Sequence, residues 1–357
     1  MIRKKSASPR PDDSEGLGDS GGAEGLGDSG GAEGSDNPAG TDSASTSTSS
    51  TNEMQGSQFD RAEATANTTD TTGARQDQSV TASSLNVKSN AGQSVVETEP
   101  HGFISVDLSG RTAVVTGGAG GIGAAAARAL AASGAHVIVA DLIGQDTDGA
   151  VDDIHELGGS AEVWDVDLRD HELLAEMTLD CDILVNCAGS QVIAHIEDYE
   201  PADWDRIIDT MLTAPFLLTR AALPHMYEEE WGRIVNVCSV HGLRGSEGRV
   251  AYTSAMHGLE GLTKVTAIEG GPHGVTANCV NPGFTRTAQV QKQIRQQAAL
   301  HWLPEDEVVE KVLLNRNSIK EMATVDEVAA QIIWLCSDYA RLITGSSLSI
   351  DGGATAS

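Results

Sequence analysis

Apolar residues are unevenly spread along this chain, and their spacing divides it near residue 103. Before that point they are sparse. Residues 1–100 are dominated by Ser, Thr, Gly, Asp and Ala, and a nonapeptide, EGLGDSGGA, occurs in tandem at 15–23 and 24–32. Such a stretch buries too little apolar surface to offset the entropy of ordering it, so residues 1–102 read as a disordered, low-complexity acidic tail. From Phe103 onward short apolar runs alternate with amphipathic stretches. The runs predict strands at 112–116, 136–141, 161–165, 182–186, 233–238, 275–280 and 347–350. The amphipathic stretches predict helices near 122–133, 147–157, 170–177, 203–227, 252–270, 305–315 and 325–337. Strands separated by helices imply right-handed crossovers, hence an α/β fold with a doubly wound parallel sheet in a single domain over 103–357. Ligands of such sheets bind outside the carboxyl ends of the strands.

One of those ends carries a recognisable device. Ala113-Val114-Val115 leads into Thr116-Gly117-Gly118-Ala119-Gly120-Gly121-Ile122-Gly123, an alanine-rich helix pattern follows, and a second apolar run closes at Asp141. Strand, glycine turn, helix and strand make a Rossmann-like unit suited to a dinucleotide. Glycines let the backbone approach a pyrophosphate, and the free N–H groups of the helix start face its charge. Asp141 stands where a carboxylate accepts hydrogen bonds from both ribose hydroxyls and repels a 2′-phosphate, which predicts NAD rather than NADP as cofactor.

Composition narrows the partners. The formal net charge is −29; residues 1–100 hold 16 acidic and 7 basic residues, so most of the excess, −20, lies in the folded part. That charge argues against nucleic acid or an anionic membrane as partner. Only 7 of the 23 basic residues are Lys, which fits a surface suited to high salt as well as one that is merely well solvated. Five scattered cysteines without a CxxC pair predict neither a metal site nor disulfides and fit a reducing, cytoplasmic setting. No secretory leader and no membrane-length apolar run is expected.

Further motifs fall at other strand ends: Asn186-Cys187-Ala188-Gly189 after the fourth strand, Ser239 thirteen residues before Tyr252, and Asn281-Pro282-Gly283. Together with the glycine turn they resemble the short-chain dehydrogenase/reductase family over essentially all of 103–357. The resemblance implies that Thr116, Gly117, Gly121, Ile122 and Gly123 hold the cofactor with Asp141. It further implies that Asp167 and Leu168 flank its adenine, that Asn186, Ala188 and Gly189 line the adjoining turn, and that Pro282 and Gly283 lie beside the nicotinamide. Ala188-Gly189-Ser190-Gln191, Ser239-Val240-His241-Gly242, the stretch 257–269 and PGFTRTAQVQKQI (282–294) are similar, within that family, to the bacterial D-3-hydroxybutyrate dehydrogenases. By that similarity Gln191, His241, Gln293 and Arg249 would grip a substrate carboxylate. Arg249 would replace a Lys while keeping the charge. Segment 284–305 would be a mobile lid, and Phe284 and Ala354 would stand in place of two tryptophans. The family also implies a homotetramer built through helices 203–227 and 252–270.

Reducing a ketone by hydride builds charge on its oxygen, so Tyr252 is expected as acid/base and Ser239 as the polarising hydroxyl. The family places a Lys four residues after the tyrosine and an Asn on the preceding helix; this chain has Met256 and Met211 at those positions. Lys264 cannot substitute, since twelve residues of helix span about 18 Å. The helix between 170 and 180 is also about two turns shorter than the family's. Two functions are therefore expected: an impaired NAD-dependent oxidoreductase interconverting a small 3-hydroxy acid and its keto acid, or a non-catalytic NAD(H)-binding descendant acting as a sensor or oligomer subunit.

Overall fold

The strands at the middle of the sheet are continuous apolar runs because both of their faces are covered. A computed structural model of the chain describes residues 2–4 and 105–356. The tandem repeat and nearly all of the expected acidic tail lie outside the described residues. Ile2–Lys4 (β1) is the described part of that segment, and it forms a strand.

From residue 112 the elements are Thr112–Thr116 (β2), Gly121–Ala132 (α1), His136–Asp141 (β3), Thr147–Glu156 (α2), Ser160–Asp165 (β4), His171–Ala175 (α3), Met177–Leu179 (β5) and Ile183–Asn186 (β6). Then come Pro201–Ile208 (α4), Ala214–Glu228 (α5), Gly232–Val237 (β7), Val250–Gly270 (α6), Val275–Pro282 (β8), Ala288–His301 (α7), Glu305–Val308 (α8), Val325–Cys336 (α9) and Ser347–Ile350 (β9). Seven strands form one sheet in the order β4-β3-β2-β6-β7-β8-β9. Every pairing in it is parallel, from Thr112 opposite His136 to Pro282 opposite Ile350. The strand order reverses between β2 and β6, which opens the crevice where doubly wound sheets bind ligands. β2, β3, β6, β7 and β8 are buried almost throughout, whereas the edge strands β4 and β9 alternate buried or half-buried with exposed residues.

One core lies between the sheet and α1, α2 and α9, with Val115, Leu130, Val139, Ile154 and Ile332 at its centre. The other lies under α5 and α6, with Val114, Ile138, Leu184, Leu218 and Ile234. Ala124 to Ala127 are buried on α1, so short side chains bring that helix close to its neighbour α9.

Three helix expectations are corrected. The helix expected over 203–227 is interrupted by a π-helical stretch, Asp209–Thr213, between α4 and α5. Pro215 has no N–H to give to the Met211 carbonyl four residues back, so the α-helical ladder cannot run through. The helix expected at 170–177 ends at Ala175, because Met177–Leu179 leaves it to pair antiparallel with Ile2–Lys4. The helix expected at 305–315 is α8 followed by a π stretch, Val309–Leu313. The segment expected only as a lid contains a helix of its own, α7, capped by the Thr287 hydroxyl accepting from Val290 N at 3.2 Å.

Candidate active site

The glycine turn is built so tightly that side chains are excluded from it. A Cβ on Gly123 would lie 2.1 Å from the Gly117 carbonyl oxygen, and one on Gly117 would lie 2.8 Å from the Ala188 Cα. Gly117 also has φ +67° and Gly121 φ +55°, conformations that glycine adopts without steric cost. The second of those contacts spans the crevice between β2 and β6. Thr116 fastens the same junction, its hydroxyl accepting from Cys187 N at 3.0 Å and Ala188 N at 3.2 Å. Asn186, one residue upstream, donates from Nδ2 to the Asn236 side chain at 2.8 Å within the buried interior.

Asp141 ends β3 with one carboxylate oxygen accepting from Ala119 N of the turn at 3.1 Å and the other from Leu142 N at 2.8 Å. The acid is thereby aimed along the turn and stays half-exposed. After β4, Leu168 is buried in the core, while Asp167 is forked by Arg169 at 2.6 and 2.9 Å. That guanidinium holds the Asp167 carboxyl below the usual carboxylate range. Thr287, at the start of α7, lies where a Cβ on Gly121 would be 3.5 Å away, so the expected lid begins against the glycine turn. Gly283 lies against Asp351, with its N–H donating to Ile350 O at 2.9 Å.

Ser239 leaves β7 in extended conformation and is 7 % exposed; its hydroxyl accepts from His241 N at 3.2 Å. Tyr252 lies on the first turn of α6. Burial pushes its phenol above the ordinary tyrosine value, and a hydrogen bond with Ser239 offsets that only in part. The His241 ring meets the Tyr252 ring edge-on with centroids 6.0 Å apart. Burial, then Arg249, Arg244 and His257, bring the imidazole down to about 4, so it is neutral at pH 7. Arg249, the residue before α6, donates from Nη1 to Ser246 Oγ at 3.0 Å. Ser239, His241, Arg249 and Tyr252 therefore converge on one end of the crevice. Gln191 and Gln293 are half-buried on a loop and on α7 and hold no described hydrogen bond. Phe284, at the start of the expected lid, packs with Ile294 and with Val308 beyond it, and Ala354 is buried.

The two methionines meet as well. Met256 is 1 % exposed and Met211 is 6 % exposed, and both belong to one apolar cluster with Ile207, Ala255 and Leu259, against which Tyr252 packs. The Met211 methyl would lie 2.6 Å from a Cβ on Gly189, so its thioether fills the space beside the Ala188-Gly189 turn. Where a cation and an amide would form a polar relay, the protein has a closed apolar plug.

A feature that the sequence reading overlooked lies behind this plug. Glu260, 6 % exposed, accepts from Asn281 Nδ2 at 2.7 Å, from Lys264 Nζ at 3.0 Å and from the Ser347 hydroxyl. The same Asn281 amide donates to Ser239 O at 3.0 Å, linking the buried acid to the backbone of the serine. Burial raises the Glu260 pKa, but these hydrogen bonds outweigh it and hold the carboxyl below its ordinary value. Cys238 and Cys279 offer thiols within 4.8 Å of this carboxylate, but its oxygens are already taken by the three donors. A hydrogen bond with Cys279, and then burial, keep the Cys238 thiol protonated. An acid in the middle of the largely small and apolar pattern of α6 was the available signal for Glu260.

Comparison with known proteins adds an independent line. The short chain dehydrogenase family profile matches residues 111–298. D-beta-hydroxybutyrate dehydrogenase of Cupriavidus necator is 40% identical over 255 residues, 69% of this chain and 98% of that protein. The Rhizobium meliloti protein of the same name is 39% identical over 69% of this chain and 99% of its own. Among solved structures, an Agrobacterium tumefaciens protein assigned as 2-deoxy-d-gluconate 3-dehydrogenase, with bound NADP, superposes with a TM-score of 0.64. It is 32% identical, over 71% of this chain and 99% of that one.

Proposed function

Because this chain belongs to the short chain dehydrogenase family, we propose that it is an oxidoreductase interconverting a small 3-hydroxy acid and the corresponding keto acid with NAD, impaired by the loss of its proton relay. The observation that carries this reading is the pairing of an intact Ser239–Tyr252–His241–Arg249 constellation with Met256 at the ammonium position. The relatives named hydroxybutyrate dehydrogenases support the substrate class. The side-chain-free cradle at Gly117 and Gly123 fits a pyrophosphate, and Asp141, held by Ala119 and Leu142, fits an unphosphorylated ribose.

When bound, the nicotinamide coenzyme supplies the hydride acceptor or donor. In oxidation Tyr252 removes the proton from the substrate hydroxyl, and in reduction it returns it; Ser239 donates a hydrogen bond to the same oxygen. Arg249, with His241 and Gln191, orients the carboxylate, and Gln293 joins it from the lid segment. Met256 contributes no charge to the phenol, so burial, the largest influence on it, keeps its pKa above the ordinary tyrosine value, and the phenolate needed for oxidation is scarce near neutral pH. Losing a positioned proton-transfer system costs about 10²–10⁴ in rate.

The buried packing of Met211 with Met256 favours a second reading, a non-catalytic NAD(H)-binding sensor or subunit. In either case NADH should bind to the wild-type protein at least ten times more tightly than NADPH, measured by calorimetry in dilute and in concentrated salt. Asp141→Ala should reverse the preference. No uptake of either nucleotide at millimolar concentration would defeat both readings.

A further inference from the structure

The loop from Val240 to Arg249 places three cationic or ionisable groups at the substrate end of the crevice with nothing to balance them. The side-chain Nε atoms of Arg244 and Arg249 and Nδ1 of His241 are each buried and without a hydrogen-bond partner. Neither arginine forms an ion pair with a described residue. The one acid of this loop, Glu247, has a side chain 86% exposed and turns to His195 at 3.9 Å. Buried donors without partners are costly, and like charges gathered together add to that cost, so the arrangement implies an anionic occupant.

A single carboxylate does not use the whole set. It accepts about four hydrogen bonds, which the Arg249 fork, His241, Gln191 and Gln293 supply between them. Residues 191, 241, 249 and 293 account for a monocarboxylate site, and Arg244 is surplus to it. We propose that Arg244 binds a second carboxylate, so that the substrate is a 3-hydroxy dicarboxylic acid rather than a monocarboxylic one. This rests on the 3-hydroxy-acid reading above and deepens it: the carbinol carbon lies between two acid arms, one held by Arg249 and His241, the other by Arg244. The electrostatics of the cluster agree, since the two arginines depress His241 and Arg244 depresses Arg249, after burial in each case.

The test is calorimetric binding of 3-hydroxybutyrate and 3-hydroxyglutarate to the NAD-saturated full-length protein at low ionic strength. These acids differ only in the second carboxyl group. The wild-type protein should prefer the dicarboxylate at least about tenfold, the scale of one buried charge-assisted contact. Arg244→Gln should bring the ratio close to one, and Arg244→Lys should keep most of the preference. Because Arg244→Gln removes a repelling cation, its thermal midpoint should not fall. If Arg244→Gln does not fold, the Arg244→Lys ratio and the wild-type preference still decide the matter. Equal affinity of wild type for the two acids, or a preference that persists in Arg244→Gln, would refute the second carboxylate while leaving the hydroxy-acid reading intact. Binding of neither acid would defeat both.

Discussion

At the residue scale, Tyr252 and Glu260 are opposite cases of buried acids on one helix. Tyr252 has Met256, not a cation, four residues on, and burial raises its pKa. Glu260 is buried yet ionised, because Asn281, Lys264 and Ser347 all donate to it. Removing that carboxylate leaves the donors facing an apolar gap. Glu260→Ala should cost about 2–4 kcal/mol in chemical denaturation, and Glu260→Gln, which keeps one acceptor, clearly less. The folded pKa is depressed, so this contribution is present above the unfolded value near 4.5 and is lost as pH falls through the folded one. The difference between wild type and Glu260→Ala should therefore shrink on acidification. A difference that stays constant on acidification would show that packing, not the charge, is what Glu260 supplies.

At the element scale, the strands were legible because their signal is local: β2, β3 and β9 run over the residues predicted from apolar runs alone. The glycine turn was legible for the same reason, since its spacing encodes a backbone path. What escaped depended on partners distant in sequence. Met177–Leu179 is a strand only because Ile2–Lys4 lies beside it. The π stretch at 209–213 depends on a proline beyond it. The helix α7 is mostly polar along its length, and its apolar side, Val290, Ile294 and Ala298, is covered by Phe284 and by the segment after the helix. Among the candidate site residues, Ser239, Tyr252 and the two methionines could be placed by spacing on α6 and its neighbours. Arg244 and Glu260 could not, because their importance lies in what surrounds them.

At the scale of the whole molecule, the folded part carries a charge of −20 around a conventional sheet. Repulsion of that size opposes compaction, and added salt screens it over about 10 Å at 0.1 M. The thermal midpoint should therefore rise between 0.1 and 2 M NaCl, by more than for a neutral domain of this size; a midpoint that falls would show that surface ion pairs outweigh the repulsion. Among the described residues no helix is long and apolar enough to cross a membrane. Phe216 on α5 and Val265 and Ile268 on α6 expose apolar surface on the helices through which the homotetramer expected from the sequence would assemble. None of this alters the central claim, which concerns two methionines at one end of the crevice. A lysine placed alone at 256 would enter an apolar cluster, so its charged form would be disfavoured. Asn at 211 would return its polar neighbour, and the two changes should be strongly non-additive. The most direct measurement is steady-state oxidation of 3-hydroxybutyrate and 3-hydroxyglutarate with NAD, from pH 7 to 10, by wild type, Met256→Lys and Met256→Lys/Met211→Asn. The account predicts a slow wild type whose rate climbs toward pH 10, and a double variant about 10²-fold or more faster with its profile moved to lower pH. A double variant that folds and binds NADH yet oxidises neither acid faster than wild type would contradict it.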